Sequence, residues 1–233
     1  MIKLVVFDMA GTAINEDNLV YKTIQRTLAE HQVDVDLATV LRLGAGKEKW
    51  GAINDILAEV SGNNPDANFT DTIHSSFVNN LDRAYAAFDI AVFPSVGSAI
   101  VQLQEMGIKV AFNTGYARPI AENILRQTGL EIGQDLDALA TANDVINNRP
   151  APDMILLLCK QLGCQPKEVI KIGDSGVDIK EGQNAGAYYS IGITTGAQTR
   201  EQLAAAQPDF IIDDMLELIP ILQAVNKPPL NAD

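Results

Sequence analysis

Residues 2–13 read IKLVVFDMAGTA. Ile2 to Phe7 make an almost unbroken apolar, β-forming run, the pattern of a strand covered on both faces of a parallel sheet. The run ends on Asp8, and Gly11-Thr12 follow at once. A buried carboxylate is costly unless something there requires it, and in open parallel sheets the ligand crevice lies outside the carboxyl ends of the strands. The stretch therefore predicts both an α/β fold and the position of its site. Two residues beyond Asp8, where a partner carboxylate would be useful, stands Ala10.

The rest of the chain has two textures. From Asn18 to about Phe88, apolar residues recur at helical spacing through VYKTIQRTLAEH, WGAINDILAEV and IHSSFVNNLDRAYAAF, broken by LGAGK and SGNNPDAN. This predicts about four helices with no strand between them. After Phe93-Pro94, strands and helices alternate. IKVAFNTG, EVIKIGDSG, AYYSIGI and PDFIIDD read as strands; SVGSAIVQLQEMG, ARPIAENILRQTG, APDMILLLCKQLG, VDIKEGQNAG and MLELIPILQAV read as helices. Such alternation implies a doubly wound parallel sheet of Rossmann-like architecture, to which the first strand belongs. The helical block is then a cap inserted after that strand. The expected division is a core at 1–14 and 89–226, an all-helical cap at 15–88, and a loose tail at 227–233.

The chain has 233 residues, 47% of them hydrophobic, enough to bury a core without disulfide or metal staples. Its formal charge of −13 argues against nucleic acid or an anionic membrane surface as partner, since both select a positive patch. A small anion stays compatible, because a metal or a few local cations invert the field inside a cleft. Cys159 and Cys164 lack metal-site spacing and read as reduced, buried thiols. No basic segment precedes a long apolar one, and no apolar run nears the roughly 20 residues of a membrane span. The expected location is the cytoplasm, and a homodimer is left open.

The strand ends carry the chemistry. The first ends on Asp8, the second on Asn113-Thr114-Gly115, and a later one on Gly173-Asp174-Ser175, with Asp178 farther along; the loop NNRPAPD supplies Arg149. Each alone has a plain structural reading: Asp8 and GDSGVD as helix caps, Thr114 as a turn residue, Arg149 as a surface cation. Arriving together they suit phosphoryl transfer. An aspartate can attack phosphorus and form an acyl phosphate. Bringing a carboxylate against a phosphate needs a cation, and clustered carboxylates favour Mg2+. Asp8, Asp174 and the backbone carbonyl of Ala10 are the natural ligands. Thr114 and nearby N–H groups would hold phosphate oxygens, and Arg149 would carry remaining charge; positioned donors of this kind supply most of the catalysis in such transfers.

In order, FDMAGT (7–12), AFNTG (111–115), a basic residue at 149 and GDSGVD (173–178) resemble the haloacid dehalogenase-like hydrolase superfamily, and the helical block resembles that superfamily's cap. The resemblance implies Asp8 as nucleophile, Thr114 and Arg149 on the phosphate, Asp8 and Asp174 around Mg2+, and Asp178 as a ligand or as an acceptor behind the ligands. Most phosphatases of the superfamily carry a second aspartate where this chain has Ala10; it protonates the leaving oxygen and later activates water, and a methyl group does neither. DMAGT, NTGYAR (113–118) and RPAPDM (149–154) resemble instead the phosphonatase branch, typified by phosphonoacetaldehyde hydrolase. There a cap lysine forms a Schiff base, and the carbon–phosphorus bond breaks toward it.

Lys47 in LGAGKEKW is the candidate for that lysine. It follows Gly44 and Gly46 and is expected to open a helix, whose dipole, with Lys49 adjacent, would depress its pKa. A solvated lysine at a helix start is the plain alternative. The chain departs from that enzyme's pattern at Leu43 and Trp50, where the pattern has Met and His, and in lacking a cysteine after DMAGTA. The resemblance thus implies a Mg2+-dependent hydrolase that cleaves a small phosphonate through an aspartyl phosphate, with phosphate-ester hydrolysis as the alternative. Thr12, Gly44, Gly46, Trp50, Gly115 and Tyr116 complete the expected substrate wall, although Trp50 and Tyr116 also suit packing; His31 and His74 read as structural or surface residues. Two readings of another class are a receiver-type phosphoacceptor and a catalytically silent binding protein. A receiver carries its nucleophile on an interior strand and lacks so large a helical insertion.

Overall fold

The computed structural model describes residues 1–226; the tail expected at 227–233 lies outside them. The first strand, β1 (Leu4–Asp8), is buried at every position. Val5 and Phe7 join the larger apolar core, while Leu4 and Val6 join a second core on the opposite face, as the two-residue period of a strand dictates.

A short β2 (Ile14–Asn15) leads into four helices, α1 (Leu19–Glu30), α2 (Leu37–Gly44), α3 (Lys49–Ser61) and α4 (Ala67–Ala87). Val20, Ile24 and Leu28 recur every four residues on α1 and are fully buried against Phe77 and Leu81 of α4. The chain returns through β3 (Ala91–Val92), which pairs antiparallel with β2, so the outgoing and incoming strands are zipped together where the helical insertion begins and ends.

The remainder alternates: α5 (Pro94–Glu105), β4 (Lys109–Thr114), α6 (Arg118–Thr128), β5 (Ala138–Thr141), α7 (Asp153–Leu162), β6 (Val169–Gly173), α8 (Gly176–Ala185), β7 (Tyr189–Ile193), α9 (Arg200–Ala205), β8 (Phe210–Ile212) and α10 (Leu218–Asn226). The six long strands form one parallel sheet in the order β5-β4-β1-β6-β7-β8. The chain winds outward from β1 through β4 to β5, then starts again on the other side with β6. That reversal beside β1 is the topological switch point at which open α/β sheets form their crevices. Asp8 stands there, in register with Asn113 of β4.

Besides the short β2 and β3, two elements go beyond the sequence expectation. β5, of sequence ALAT, carries one β-branched residue in four; it is a strand because it pairs with β4 and is covered by α7. The six-residue α9 is set by a capping box in which Thr199 and Gln202 satisfy each other's backbone N–H. Among the described residues no helix is long and apolar enough to cross a membrane.

Candidate active site

Asp8 ends β1, and the chain turns back at once: the N–H groups of Thr12, Ala13 and Ile14 all donate to the carbonyl of Met9. Gly11 makes the turn with φ +82°, and a Cβ there would collide with the Asp174 carboxylate, so the residue must be glycine to let the loop approach the tip of β6. From that tip come Asp174 and Ser175, the N-cap of α8, whose hydroxyl donates to Asp178. Arg149, in the loop before α7, reaches into the centre. Its Nη1 donates to Asp8 at 2.6 Å and lies 2.8 Å from Asp178, its Nε is 2.9 Å from Glu181, and its Nη2 donates to the carbonyl and side-chain oxygens of Asn113. Lys171 of β6 is fully buried and completes the cluster, 2.9 Å from Asp178 and 3.6 Å from Glu181.

The charges do not balance. Four buried carboxylates, Asp8, Asp174, Asp178 and Glu181, face two buried cations, Arg149 and Lys171. Burial pushes the Asp8 carboxyl up, and the charge of Asp178 pushes it further against the pull of Arg149. Burial also holds Asp174 well above the usual carboxylate range, with Asp8 and Asp178 adding to the effect. Asp178, although equally buried, is held below that range by Arg149 and Lys171. Asp8, Asp174 and Asp178 each offer an oxygen within 4.8 Å of the others. An all-oxygen donor set with a surplus of two negative charges fits a hard divalent cation.

The opposite wall comes from the helical insertion. A small cavity over Asp8 is lined by Ala10, Thr114, Gly115, Tyr116 and Arg149 from below and by Tyr21, Gly46 and Lys49 from above. The lysine in this wall is Lys49, and the expectation for Lys47 is corrected. Glu48 is the N-cap of α3, accepting from the N–H groups of Trp50 and Gly51. This sets the helical phase so that Lys49 falls on the buried stripe with Ile53 and Ile56. Lys47, ahead of the cap, turns its Nζ outward to Asp55 at 2.6 Å. The Lys49 Nζ donates to the Lys47 carbonyl at 2.7 Å and lies 5.1 Å from the centroid of the Tyr116 ring and 5.6 Å from that of Tyr21. Burial lowers its affinity for a proton; the charge of Asp8 opposes that, and Arg149 adds to it.

Gly115 is one of the contacts between the insertion and the sheet. A Cβ on it would stand 2.5 Å from the Lys47 carbonyl oxygen, a collision with backbone that a side-chain rotation cannot relieve. Gly115→Ala is therefore expected to hold the insertion away from the sheet and lower kcat/KM by about 100-fold, the scale set by a misplacement of about 1 Å, while the urea midpoint changes little. An unchanged kcat/KM would show that this contact does not position the site.

Other expected wall residues lie elsewhere. Thr12 is buried behind the site, its hydroxyl 3.5 Å from Asp174. Gly44 packs within the insertion against Ala52, Ile56 and Tyr21. Trp50 donates its indole N–H to Asp71 of α4 at 2.6 Å and serves the insertion's own packing. The cysteines are free and buried, as expected, and burial pushes the Cys159 thiol up to about 12.

Besides Lys49, the sequence reading missed Lys171, Glu181 and a buried polar chain. The Tyr85 hydroxyl, near the end of α4, donates to Glu16 at 2.9 Å and lies 2.7 Å from the hydroxyl of Tyr116. Burial pushes Glu16 up to about 7, against the hydrogen bonds from Val20 and Tyr85. A glutamate in the unfolded chain ionises near pH 4.3. Between that range and about 7 the native state thus binds the extra proton, and stability falls as pH rises through this window. Glu16→Gln is expected to remove this component, on the order of a few kcal/mol. Urea unfolding at pH 5 and pH 7.5 should show a smaller pH difference in the variant than in the parent; equal differences would overturn the assignment.

A second, larger cavity of about 320 Å³ adjoins the first and shares Lys49 and Gly115 with it. It lies between α4 and the loops that follow β4 and β5.

Residues 2–186 match the family model described as haloacid dehalogenase-like hydrolase. Among curated proteins, the chain is 27% identical over 233 residues to pyrophosphatase PpaX of Bacillus cereus (strain AH820), covering 97% of this chain and 99% of that protein. It is 26% identical over 232 residues to the PpaX of Bacillus mycoides, with the same coverage. Among solved structures, a hydrolase from Pseudomonas syringae superposes with a TM-score of 0.85 at 19% identity, covering 97% of this chain and all of that one. A phosphonoacetaldehyde hydrolase like protein from Oleispira antarctica superposes with a TM-score of 0.83 at 22% identity, covering 97% of this chain and 92% of that one. At these identities the superpositions speak to the fold, and the family match, spanning most of the chain, speaks to the chemistry. The chain belongs to the haloacid dehalogenase-like hydrolases.

Proposed function

We propose that the protein is a Mg2+-dependent hydrolase that transfers phosphorus from a small organic phosphonate to Asp8, with Lys49 engaging a carbonyl on the carbon side of the bond. One observation carries this reading. The pocket that lacks an acid at Ala10 holds instead a buried amine, Lys49, whose surroundings lower its affinity for a proton.

The chemistry balances without a carboxylic acid at position 10. The neutral amine of Lys49 adds to the carbonyl and loses water, leaving a protonated imine. An Asp8 oxygen attacks phosphorus, and the electron pair of the breaking carbon–phosphorus bond flows into the imine to give an enamine. Water then hydrolyses the aspartyl phosphate and releases phosphate; the enamine takes a proton on carbon and is hydrolysed to the carbonyl product and free Lys49. Thr114 and the adjacent N–H groups hold phosphoryl oxygens, and Arg149 keeps Asp8 oriented. Asp8, Asp174 and the Ala10 carbonyl would hold Mg2+, which when bound offsets the repulsion between carboxylate and phosphoryl group. Asp178, already engaged by Arg149, Lys171 and Ser175, acts behind those ligands. The cavity over Asp8 measures about 10 Å³, room for about one water, so substrate entry requires the helical insertion to lift.

A second reading is hydrolysis of a phosphate anhydride or ester. The relatives named pyrophosphatase favour it, and a phosphate leaving group needs little protonation, so Ala10 does not exclude it. The two separate in one experiment: phosphate release from phosphonoacetaldehyde and from pyrophosphate, with Mg2+ and with excess chelator, alongside borohydride reduction and peptide mapping. The expected result is Mg2+-dependent release from the phosphonate and a reduced adduct on Lys49. Turnover of pyrophosphate alone, with no adduct, would leave the second reading in place.

A further inference from the structure

We propose that the 320 Å³ cavity beside the active-site pocket is the chamber for the organic half of the substrate, and that it selects a leaving group with an apolar body the size of an aromatic ring rather than a two-carbon aldehyde or a second phosphate. The proposal rests on the phosphoryl-transfer reading above and adds the substrate class.

Position comes first. The chamber and the pocket over Asp8 share Lys49 and Gly115, which stand between them against the Lys47 carbonyl, so the lifting of the insertion that admits substrate also opens one space to the other. Its size follows. At 320 Å³ it falls in the range of roughly 300–1,000 Å³ of small-molecule pockets, and a two-carbon fragment would leave most of the chamber to water.

The character of the wall sets the class. Phe77 and Val78 of α4 and Pro119 and Ile120 of α6 line the chamber, an aliphatic and aromatic surface drawn from both the insertion and the core. Such a lining solvates a second phosphate, with its two or more charges, poorly, and the Glu48 carboxylate in the same wall, which accepts from the N–H groups of Trp50 and Gly51, adds a like charge. His74, which the sequence suggested as structural or surface, stands in this wall with Lys49. The remaining polar side chains of the lining are those of Asn143 and Asn148. Asn148 lines the chamber, and its side-chain oxygen is buried without a hydrogen-bond donor; a hydroxyl or N–H on the leaving group would satisfy it. An apolar body with one such donor, joined to phosphorus through a carbon next to a carbonyl, matches the walls in order from Asp8 outward.

The test compares three substrates at fixed Mg2+ with the full chain: phosphonoacetaldehyde, its aryl ketone counterpart 2-oxo-2-phenylethylphosphonate, and pyrophosphate. The expected order of kcat/KM places the aryl compound at least tenfold above the aldehyde, with pyrophosphate lowest. Two variants fill the chamber from opposite sides, Val78→Trp on α4 and Ala142→Phe in the loop after β5, so that a folding failure in one leaves the other. Each should lower the ratio of aryl to aldehyde kcat/KM at least tenfold. Each should also weaken competitive inhibition by the ketone product, acetophenone, a binding readout independent of turnover. An aryl-to-aldehyde ratio near one in the parent, a ratio unmoved by both variants, or pyrophosphate as the best substrate overturns the chamber proposal while phosphoryl transfer stands. No turnover of any of the three, with no phosphorylated Asp8 by mass spectrometry, overturns both.

Discussion

Asp8→Asn should abolish phosphate release, lowering kcat by about 10⁴-fold or more, the scale on which removal of a nucleophile is felt. The substitution is nearly isosteric. The amide oxygen it introduces still accepts from Arg149, whose Nη1 sits 2.6 Å from the present carboxylate, so the loss reads the missing nucleophile rather than a displaced guanidinium. Stability separates a chemical loss from a structural one. Burial and the neighbouring Asp178 push the Asp8 carboxyl up, which means the native state tolerates its charge at a cost. The neutral amide should therefore leave the urea midpoint at pH 7.5 unchanged or raise it. The parent, quenched in acid during turnover, should carry about 80 Da on the peptide containing residue 8, the mass of one added phosphoryl group, and the variant should not. A variant within tenfold of the parent would remove Asp8 from the chemistry and leave the buried cluster as architecture.

The same residue shows how far the sequence could be read. β1 was legible because both of its faces are buried and its run of apolar residues ends abruptly on a charge. The tips of β4 and β6 were legible by the same rule, and Arg149 by its place in a resembling motif. β5 was not, because ALAT lacks the β-branched character that marks a strand and owes its conformation to its neighbour β4. Lys171 is not announced by the sequence, because a lysine inside EVIKIG reads as a strand residue reaching for solvent. It is buried because Asp178 and Glu181, three residues apart on one face of α8, close over it; that spacing was visible, but the docking of helix on strand was not. The chain from Glu16 through Tyr85 to Tyr116 joins residues 69 and 31 positions apart, and no local pattern announces it. For Lys49 the signal was present. Read backward from Ile56 and Ile53, the apolar stripe of α3 lands on Lys49, whereas the glycines before Lys47 mark a turn beside the outward-facing amine.

That two-residue difference yields the second large effect. Lys49→Met should lower kcat/KM on a carbonyl phosphonate by about 10³-fold or more, and Lys47→Met should leave it close to the parent value. Lys47 has only its exposed ion pair with Asp55 to lose, worth about 0–1 kcal/mol of stability. Lys49→Arg distinguishes the two things a buried cation can do. If Lys49 only offsets charge near Asp8, arginine restores much of the rate; if it must form an imine, arginine fails as fully as methionine, because a guanidinium does not lose its proton. The pH profile gives the same answer by another route. Imine formation needs the neutral amine, and burial has lowered the affinity of Lys49 for a proton below the ordinary lysine value of 10.5, so kcat/KM should rise with pH and level off below that range. The lowered pKa also means that the native state holds this charge at a cost near neutral pH. Stability gained from the group appears only as pH rises through the folded value, and Lys49→Met should not lower the urea midpoint at pH 7. Loss of activity with stability intact, unrescued by arginine and confined to position 49, would leave nucleophilic attack on the substrate carbonyl as the role that fits. Equal losses at 47 and 49, or rescue by arginine, would instead leave a hydrolase in which the insertion's lysines contribute charge alone.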